Sequence, residues 1–255
     1  EPACTALEDA GSSRRWAEVE SRTNALGRGI ESLGLAPGDH GAVIGSNRSE
    51  VVEALLGAMR AGLVVTPVKT NWTIEEVGHL LEDADTKLVV TDIEVARGAA
   101  AARGVPVLDL DTGPGGGSRS GSGGGFEAWL TCPSDAPLPA DRAGWRMSYT
   151  SGTTGRPKGV VHATSGTRPF IDAFAGNAAV AAQLRIPREG AHLVVSRLFH
   201  GAPLTFALAA LAQGTPLRIL DRWEPEHALD ALERDVASTV MVPTMFRQLL
   251  ALDPA

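Results

Sequence analysis

The residues best suited to chemistry lie in one short segment, YTSGTTGRPKG, which runs from Tyr149 to Gly159. It combines four Ser or Thr side chains, three glycines and Lys158. Glycines let backbone N–H groups approach an anion, hydroxyl groups add donors, and a lysine supplies a point charge. This combination is suited to binding phosphate groups. On composition alone a plain polar turn is the favoured interpretation, since clusters of Ser, Thr and Gly are most often loops.

Two common nucleotide-binding motifs do not describe the segment. A Walker loop has Gly immediately before its Lys and Ser or Thr immediately after it, whereas Lys158 lies between Pro157 and Gly159. The G-x-G-x-x-G fingerprint of dinucleotide-binding proteins occurs nowhere in the chain. These observations exclude a standard P-loop kinase or ATPase and give no support to hydride transfer.

The whole segment resembles the phosphate-loop signature of the adenylate-forming superfamily, which includes acyl-CoA synthetases, luciferases and peptide-synthetase adenylation domains. Three other stretches carry the same resemblance. The stretch 67–92 is similar to the region upstream of the loop in fatty acyl-CoA synthetases, 198–203 is similar to the substrate-pocket motif, and 242–246 is similar to the segment after it. The resemblance identifies residues 1–255 as a partial amino-terminal domain of an AMP-dependent acyl-CoA synthetase.

The resemblance implies a reaction in two steps. A carboxylate attacks the α-phosphorus of Mg-ATP and pyrophosphate leaves; the thiol of CoA then displaces AMP from the acyl-adenylate. Such an in-line displacement needs positioning and charge neutralisation rather than a protein nucleophile. The motif match assigns Lys158 to the pyrophosphate and Thr150 to Mg²⁺, and it implies that the β- and γ-phosphates are wrapped by Thr150, Ser151, Gly152, Thr153, Thr154 and Gly155.

A second group of candidates surrounds His200. By the same resemblance, His200 occupies the position of a histidine close to the α-phosphate and the substrate carboxylate, and it is a catalytic candidate together with Lys158. Phe199, His200 and Leu204 are candidates for the acyl pocket. Amino-acid-activating relatives carry an aspartate where this chain has His200, so the resemblance favours a fatty or related apolar acid. From the residues alone, ordinary core packing is the preferred explanation for this histidine and its apolar neighbours.

Composition limits the classes of partner. The chain has 255 residues, 44% of them hydrophobic, and a formal net charge of -7, so it can bury a large core but offers no general cationic field for nucleic acid. Its longest apolar stretch, near 206–212, is much shorter than the ~20 residues of a membrane-spanning helix. Cys4 and Cys132 form neither a disulfide framework nor a zinc-ligand spacing, which fits a reducing, cytoplasmic setting.

Periodic apolar residues predict the elements that hold these segments. Helices are predicted over 15–33 and 51–59, ending at Gly34 and near Gly62, and Thr73 with Glu76 predicts a capping box at the start of a third helix. Candidate strands alternate with helices, which predicts an α/β fold of layered, mostly parallel sheets flanked by helices. These strands are 42–44, 63–65, 87–90, 146–149, 192–195, 217–220 and 239–242.

Two expectations concern the extent of the domain. The segment GPGGGSRSGSGGG at 113–125 has no apolar residue and is predicted to be a flexible Gly/Ser-rich loop within one domain. The family's carboxy-terminal part, with its ribose-binding aspartate and its small domain, is expected to lie beyond Ala255, so the 255 residues alone are expected to be inactive. The alternatives are an adenylation domain that loads a carrier protein and a catalytically inert truncated fragment.

Overall fold

The computed structural model describes residues 2–111, 125–130, 138, 143–150, 158–161 and 168–252. The chain divides into two compact units. Unit 1 comprises Glu1–Val19, Asn47–Ser49 and Phe174–Ala255, and unit 2 comprises Glu20–Ser46 and Glu50–Ala173. Each unit is built on its own β-sheet.

Unit 2 contains a six-stranded sheet whose strands are all parallel to their neighbours except the last pair. In spatial order the strands are β6 (Val107–Asp109), β5 (Thr86–Thr91), β3 (His40–Ile44), β4 (Val64–Pro67), β7 (Trp145–Thr150) and β8 (Lys158–Val161). The associated helices are α2 (Ser49–Arg60), α3 (Ile74–Asp83), α4 (Glu94–Ala101) and α5 (Phe126–Trp129). Buried side chains of α3 and α4 pack with those of β3 and β5 in an apolar core.

Local sequence signals place two of the helix ends in unit 2. The Thr73 hydroxyl accepts from the Glu76 N–H at 3.2 Å, and the Glu76 carboxylate accepts from the Thr73 N–H at 2.8 Å, so the predicted capping box is present at α3. Gly62 follows α2 with φ +84°, and a Cβ there would lie 2.8 Å from Pro37 Cβ. Glycine is therefore required at this helix end both by conformation and by space.

A buried ion pair ties α5 to the rest of unit 2. Arg22 donates to both carboxylate oxygens of Glu53, at 2.7 and 2.9 Å, and to Glu127 on α5 at 2.8 Å. The side chain of Glu53 is completely buried. Because a buried carboxylate is costly unless it is paired, Arg22 stabilises Glu53 in this part of the core.

Unit 1 contains a five-stranded sheet in which only the pair β1–β2 is antiparallel. In spatial order the strands are β11 (Val236–Thr239), β9 (Ala191–Val194), β10 (Leu217–Ile219), β1 (Thr5–Glu8) and β2 (Ser13–Arg15). Helix α7 (Gly201–Ala212) packs on β9 and β10, and α8 (Pro225–Leu232) contacts α9 (Pro243–Leu250). The remaining helices among the described residues are α1 (Trp16–Ser32) and α6 (Phe170–Gln183). Within the described ranges, no helix is both long and apolar enough to cross a membrane.

The predicted α/β class with mostly parallel sheets is confirmed, but one predicted strand is wrong. The strand predicted at 239–242 ends at Thr239, and Val242 is the N-cap of α9. Proline fits the first turn of a helix because the N–H that it lacks would have no intrahelical partner there, so Pro243 starts α9 rather than following a strand. The Gly/Ser-rich loop predicted at 113–125 lies outside the described residues except for Gly125, which bridges to Asp109.

His192 is buried within the sheet of unit 1, with 1% of its surface exposed. Its Nδ1 lies 2.9 Å from the Ser238 hydroxyl oxygen, and its ring stacks on Phe206 with 6.0 Å between centroids. Burial lowers the pKa of His192 to about 4. The imidazole is therefore neutral in the folded protein at neutral pH.

This histidine should make folding stability depend on pH. An unfolded histidine has a pKa near 6.5, so the unfolded state takes up the proton first as the pH falls, and stability present above pH 6.5 is lost toward pH 4. Between pH 7 and pH 5 we expect the free energy of unfolding to fall by about 2 kcal/mol because of His192. Urea unfolding of His192→Gln should lack this component, whereas His79→Gln, at an exposed position, should keep it. An equal pH dependence of the unfolding free energy in the unaltered chain, His192→Gln and His79→Gln would show that His192 is not the group responsible.

Candidate active site

The predicted phosphate segment begins and ends on paired strands of unit 2. Strands β7 and β8 are antiparallel, and Thr150 at the end of β7 lies opposite Lys158 at the start of β8. The two ends of the segment are thus brought together, and Lys158 is exposed. The structure does not describe residues 151–157, so the predictions for Ser151, Gly152, Thr153, Thr154 and Gly155 remain predictions, as does the role of the Thr150 side chain.

Gly159 permits the close approach of β8 to β7. A Cβ on Gly159 would lie 2.8 Å from Met147 Sδ and 3.3 Å from two ring carbons of Tyr149. Real Cβ atoms essentially never approach as closely as the first of these distances. A side chain at this position would force Met147 to shift, so glycine favours the close packing of the two strands next to Lys158.

Tyr149 anchors the strand that leads into the segment. Its hydroxyl donates to Asp83 Oδ2 at 2.6 Å, and its ring packs against apolar residues of the unit 2 core. Burial, together with the hydrogen bond to the Asp83 carboxylate, raises the pKa of Tyr149 above its ordinary value. The residue before Thr150 is thus fixed to α3 at one end of its side chain and to the core at the other.

The second predicted group lies in unit 1, after β9. His200 is the N-cap of α7 with extended backbone, φ −81° and ψ 140°, and its carbonyl accepts from the Leu204 N–H at 3.1 Å. The rings of Phe199 and His200 lie 4.5 Å apart between centroids, with 52° between their planes. The side chain of His200 is exposed and that of Phe199 is half-buried, whereas Leu204 is 2% exposed.

The predicted site residues therefore form two groups, one in each unit. Thr150 and Lys158 are cross-strand neighbours in unit 2, and Phe199 and His200 are ring neighbours in unit 1. Each group follows the carboxyl end of a parallel strand, β7 or β9. This is the edge at which open α/β sheets bind their ligands. The deep burial of Leu204 fits core packing, so its predicted contact with substrate remains a prediction.

Asn47, which no sequence pattern indicates, contacts the segment before His200. Asn47 Nδ2 donates to the carbonyls of Ser196 at 2.9 Å and Leu220 at 3.2 Å, and its Oδ1 accepts from the Leu198 N–H at 2.9 Å. Its surface is 2% exposed. In the sequence, Asn47 is a polar residue between a predicted strand and a predicted helix, as is usual for a loop. Its hydrogen-bond partners lie 149 to 173 residues away, so no local pattern indicates them.

Comparison with known proteins identifies the family. A family model described as AMP-binding enzyme matches residues 1–255. The chain belongs to the AMP-binding enzyme family. It is 28% identical to a feruloyl-CoA synthase from an Amycolatopsis species over 252 residues, which is 98% of this chain and 48% of that enzyme. It is 29% identical to the fatty acid–[acyl-carrier-protein] ligase ScoC of Streptomyces coeruleorubidus over 259 residues, 98% of this chain and 47% of that protein.

A solved structure supports the same assignment. The chain matches ATP-bound MatB from Rhodopseudomonas palustris with a TM-score of 0.78 and 25% identity, over 99% of this chain and 49% of that one. The predicted resemblance to adenylate-forming enzymes and the predicted fold are both confirmed. The chain spans about half the length of the relatives it matches.

Tyr149 is the only tyrosine in the chain, so its ionisation can be measured directly. Since burial and Asp83 raise its pKa, tyrosinate absorbance near 295 nm should stay low in the native protein at pH 10.5 and appear after unfolding in urea. Removing the carboxylate charge with Asp83→Asn should move the native titration toward the ordinary value. A native titration midpoint near 10, unaffected by Asp83→Asn, would show that the Tyr149 anchor is absent.

Proposed function

We propose that this chain provides the phosphate-binding part of an AMP-forming ligase that activates a carboxylic acid with ATP and passes the acyl group to CoA. The observation that carries the proposal is the pairing of Thr150 with Lys158, after a parallel strand, in a chain that the family model matches throughout. Adenylation requires charge neutralisation around a departing pyrophosphate, and an exposed lysine beside a hydroxyl-rich, glycine-rich segment supplies it.

The proposed roles follow the two groups of residues. Residues 150–155 surround the β- and γ-phosphates of ATP, Lys158 neutralises the pyrophosphate, and His200 lies beside the α-phosphate and the acid carboxylate. Mg²⁺ prefers oxygen ligands and usually keeps waters and substrate phosphates in its shell. The hydroxyl of Thr150 fits that donor set, and Mg²⁺ bound there would offset negative charge on the phosphates. Phe199 and Leu204 border the acyl group.

The acceptor is the point on which the relatives differ. The feruloyl-CoA synthase relative supports CoA, whereas the ScoC relative supports a carrier protein as a second candidate. We propose CoA as the acceptor and a fatty or related apolar acid as the substrate. The two widely separated cysteines support a reducing, cytoplasmic compartment.

The lysines allow a direct test of the phosphate site. The chain has three, Lys69, Lys87 and Lys158, and all three are exposed. An acyl-phosphate derivative of ATP transfers its acyl group to a lysine amine held near the phosphates and releases ATP. We expect Lys158 to be labelled at least about tenfold faster than the other two, because binding raises its effective concentration at the probe.

Peptide mass spectrometry quantifies each lysine in the same digest, so Lys69 and Lys87 serve as internal controls for exposure. Excess pyrophosphate should suppress labelling of Lys158 alone. Equal labelling of the three lysines, or labelling that pyrophosphate does not reduce, would remove Lys158 from the site.

Activity can be measured in a chimeric protein, called the joined form, in which this chain is fused to the half of a relative that it does not span. In the joined form, Lys158→Ala should slow adenylation by ~10²-fold.

The same joined form tests the substrate class, because the 255 residues by themselves are expected not to form acyl-adenylate. His200 provides no fixed negative charge for the α-ammonium of an amino acid, and an ammonium buried without a partner carries a large desolvation penalty. ATP–pyrophosphate exchange should therefore be faster with fatty or aryl acids than with α-amino acids. A preference for any α-amino acid over all the apolar acids would overturn the proposed substrate class.

A further inference from the structure

The Asn47 carboxamide joins the ends of two strands in unit 1. Ser196 and Leu198 follow β9, and Leu220 follows β10. One side chain thus satisfies two carbonyls and one N–H that the ladder no longer pairs. Leu198 immediately precedes Phe199 and His200. The buried Asn47 side chain, acting as both hydrogen-bond donor and acceptor, therefore fixes the backbone that leads into Phe199 and His200.

A carboxylate holds the segment on which Asn47 lies. Asp9, just after β1, accepts from the Ser49 N–H at 2.7 Å and from the Gly11 N–H at 2.8 Å. Burial acts to raise the pKa of Asp9, but hydrogen bonds from Ser49, Gly11 and Ser12 outweigh it and lower the pKa below its ordinary value. An ionised Asp9 at the start of α2 also has favourable interactions with the helix N-terminus. Residues 47–49 are thus fixed to the same edge of the sheet as β9 and β10.

We infer that Asn47 is a positioning residue that fixes the backbone of Phe199 and His200, and through them the binding of the acid. The part that concerns the acid rests on the proposed function. Only an amide offers two donors and an acceptor in this space. An aspartate would keep the acceptor but face the two carbonyls with a negative charge, and an apolar side chain would leave all three backbone groups unsatisfied.

Hydrogen–deuterium exchange of the chain itself tests the positioning. Asn47→Asp should speed exchange of the amides in 196–200 by about tenfold, since the carbonyls of Ser196 and Leu220 lose their donor and face a negative charge. The milder Asn47→Ser leaves room for a water to bond the carbonyls, and it should give a smaller increase at the same amides if Asn47→Asp does not fold. Exchange at 196–200 that is unchanged in either folded variant would overturn the inference.

Asn177→Asp is the matched control. Asn177 is a buried asparagine of the same unit whose side chain donates to the Phe174 carbonyl at 3.0 Å, within its own helix. Its replacement should alter local stability and leave exchange at 196–200 unchanged. Faster exchange at 196–200 in Asn177→Asp would mean that the loss of any buried asparagine hydrogen bond in unit 1 loosens the segment. The specific role of Asn47 would then be wrong.

The joined form tests the consequence for the acid. Asn47→Ser should raise the KM for the acid by about tenfold and raise the KM for ATP much less, whereas a merely structural loss would lower kcat and leave both KM values unchanged. Faster exchange at 196–200 with an unchanged KM for the acid would overturn the role in acid binding. Failure of the proposed function can be distinguished from failure of this inference. If the proposed function is wrong, Lys158 of the unaltered chain is not labelled selectively.

Discussion

Parallel strands end in backbone groups that the ladder no longer pairs, and the candidate site depends on how buried side chains satisfy those groups. In unit 1 the carboxamide of Asn47 bonds three of them after β9 and β10. In unit 2 the Thr91 hydroxyl donates to the Ile44 carbonyl at 2.6 Å, and the Ser46 N–H donates to the Asp92 carboxylate at 3.1 Å. Since an unsatisfied buried polar group costs about 1–3 kcal/mol, these bonds hold the strand ends in one arrangement.

Rigid strand ends allow the following segments to carry function. A loop that enters from a fixed strand loses less freedom on binding a ligand, which is the general advantage of a preorganised site. The strand before Thr150 is held through Tyr149, and the strand after it approaches closely because Gly159 has no side chain. In unit 1 the fixed backbone at Leu198 sets the position from which Phe199 and His200 extend. The unit 1 group thus depends on polar contacts at the ends of its strands, and the unit 2 group depends on the Tyr149–Asp83 hydrogen bond and on close strand packing.

Local patterns predicted most of the fold because they act over a few residues. The helix predicted at 15–33 is α1, and the capping box at Thr73 and Glu76 is present, since both depend on neighbours three or four residues away. The strand predicted at 239–242 is wrong because its apolar residues continue into the N-cap of α9. β2 was missed because Ser-Arg-Arg has no apolar alternation and pairs only with β1.

The site could be predicted in part. The segment from Tyr149 to Gly159 stands out by its own composition, and its role in binding phosphate stays a prediction. The roles of Asn47 and Asp83 could not be predicted, because their partners lie far away in sequence, 66 residues for the pair of Asp83 and Tyr149. Hydrogen bonds of this kind arise from the arrangement of the strands, and no periodic pattern precedes them.

An amide NMR titration of the ¹⁵N-labelled chain with pyrophosphate and with Mg-ATP tests phosphate binding directly. We expect the largest shifts for both ligands on the backbone amides between Thr150 and Gly159, because in the proposed site these N–H groups and Lys158 contact the phosphates. Shifts that are confined to other parts of the chain, with residues 150–159 unaffected at saturation, would contradict it.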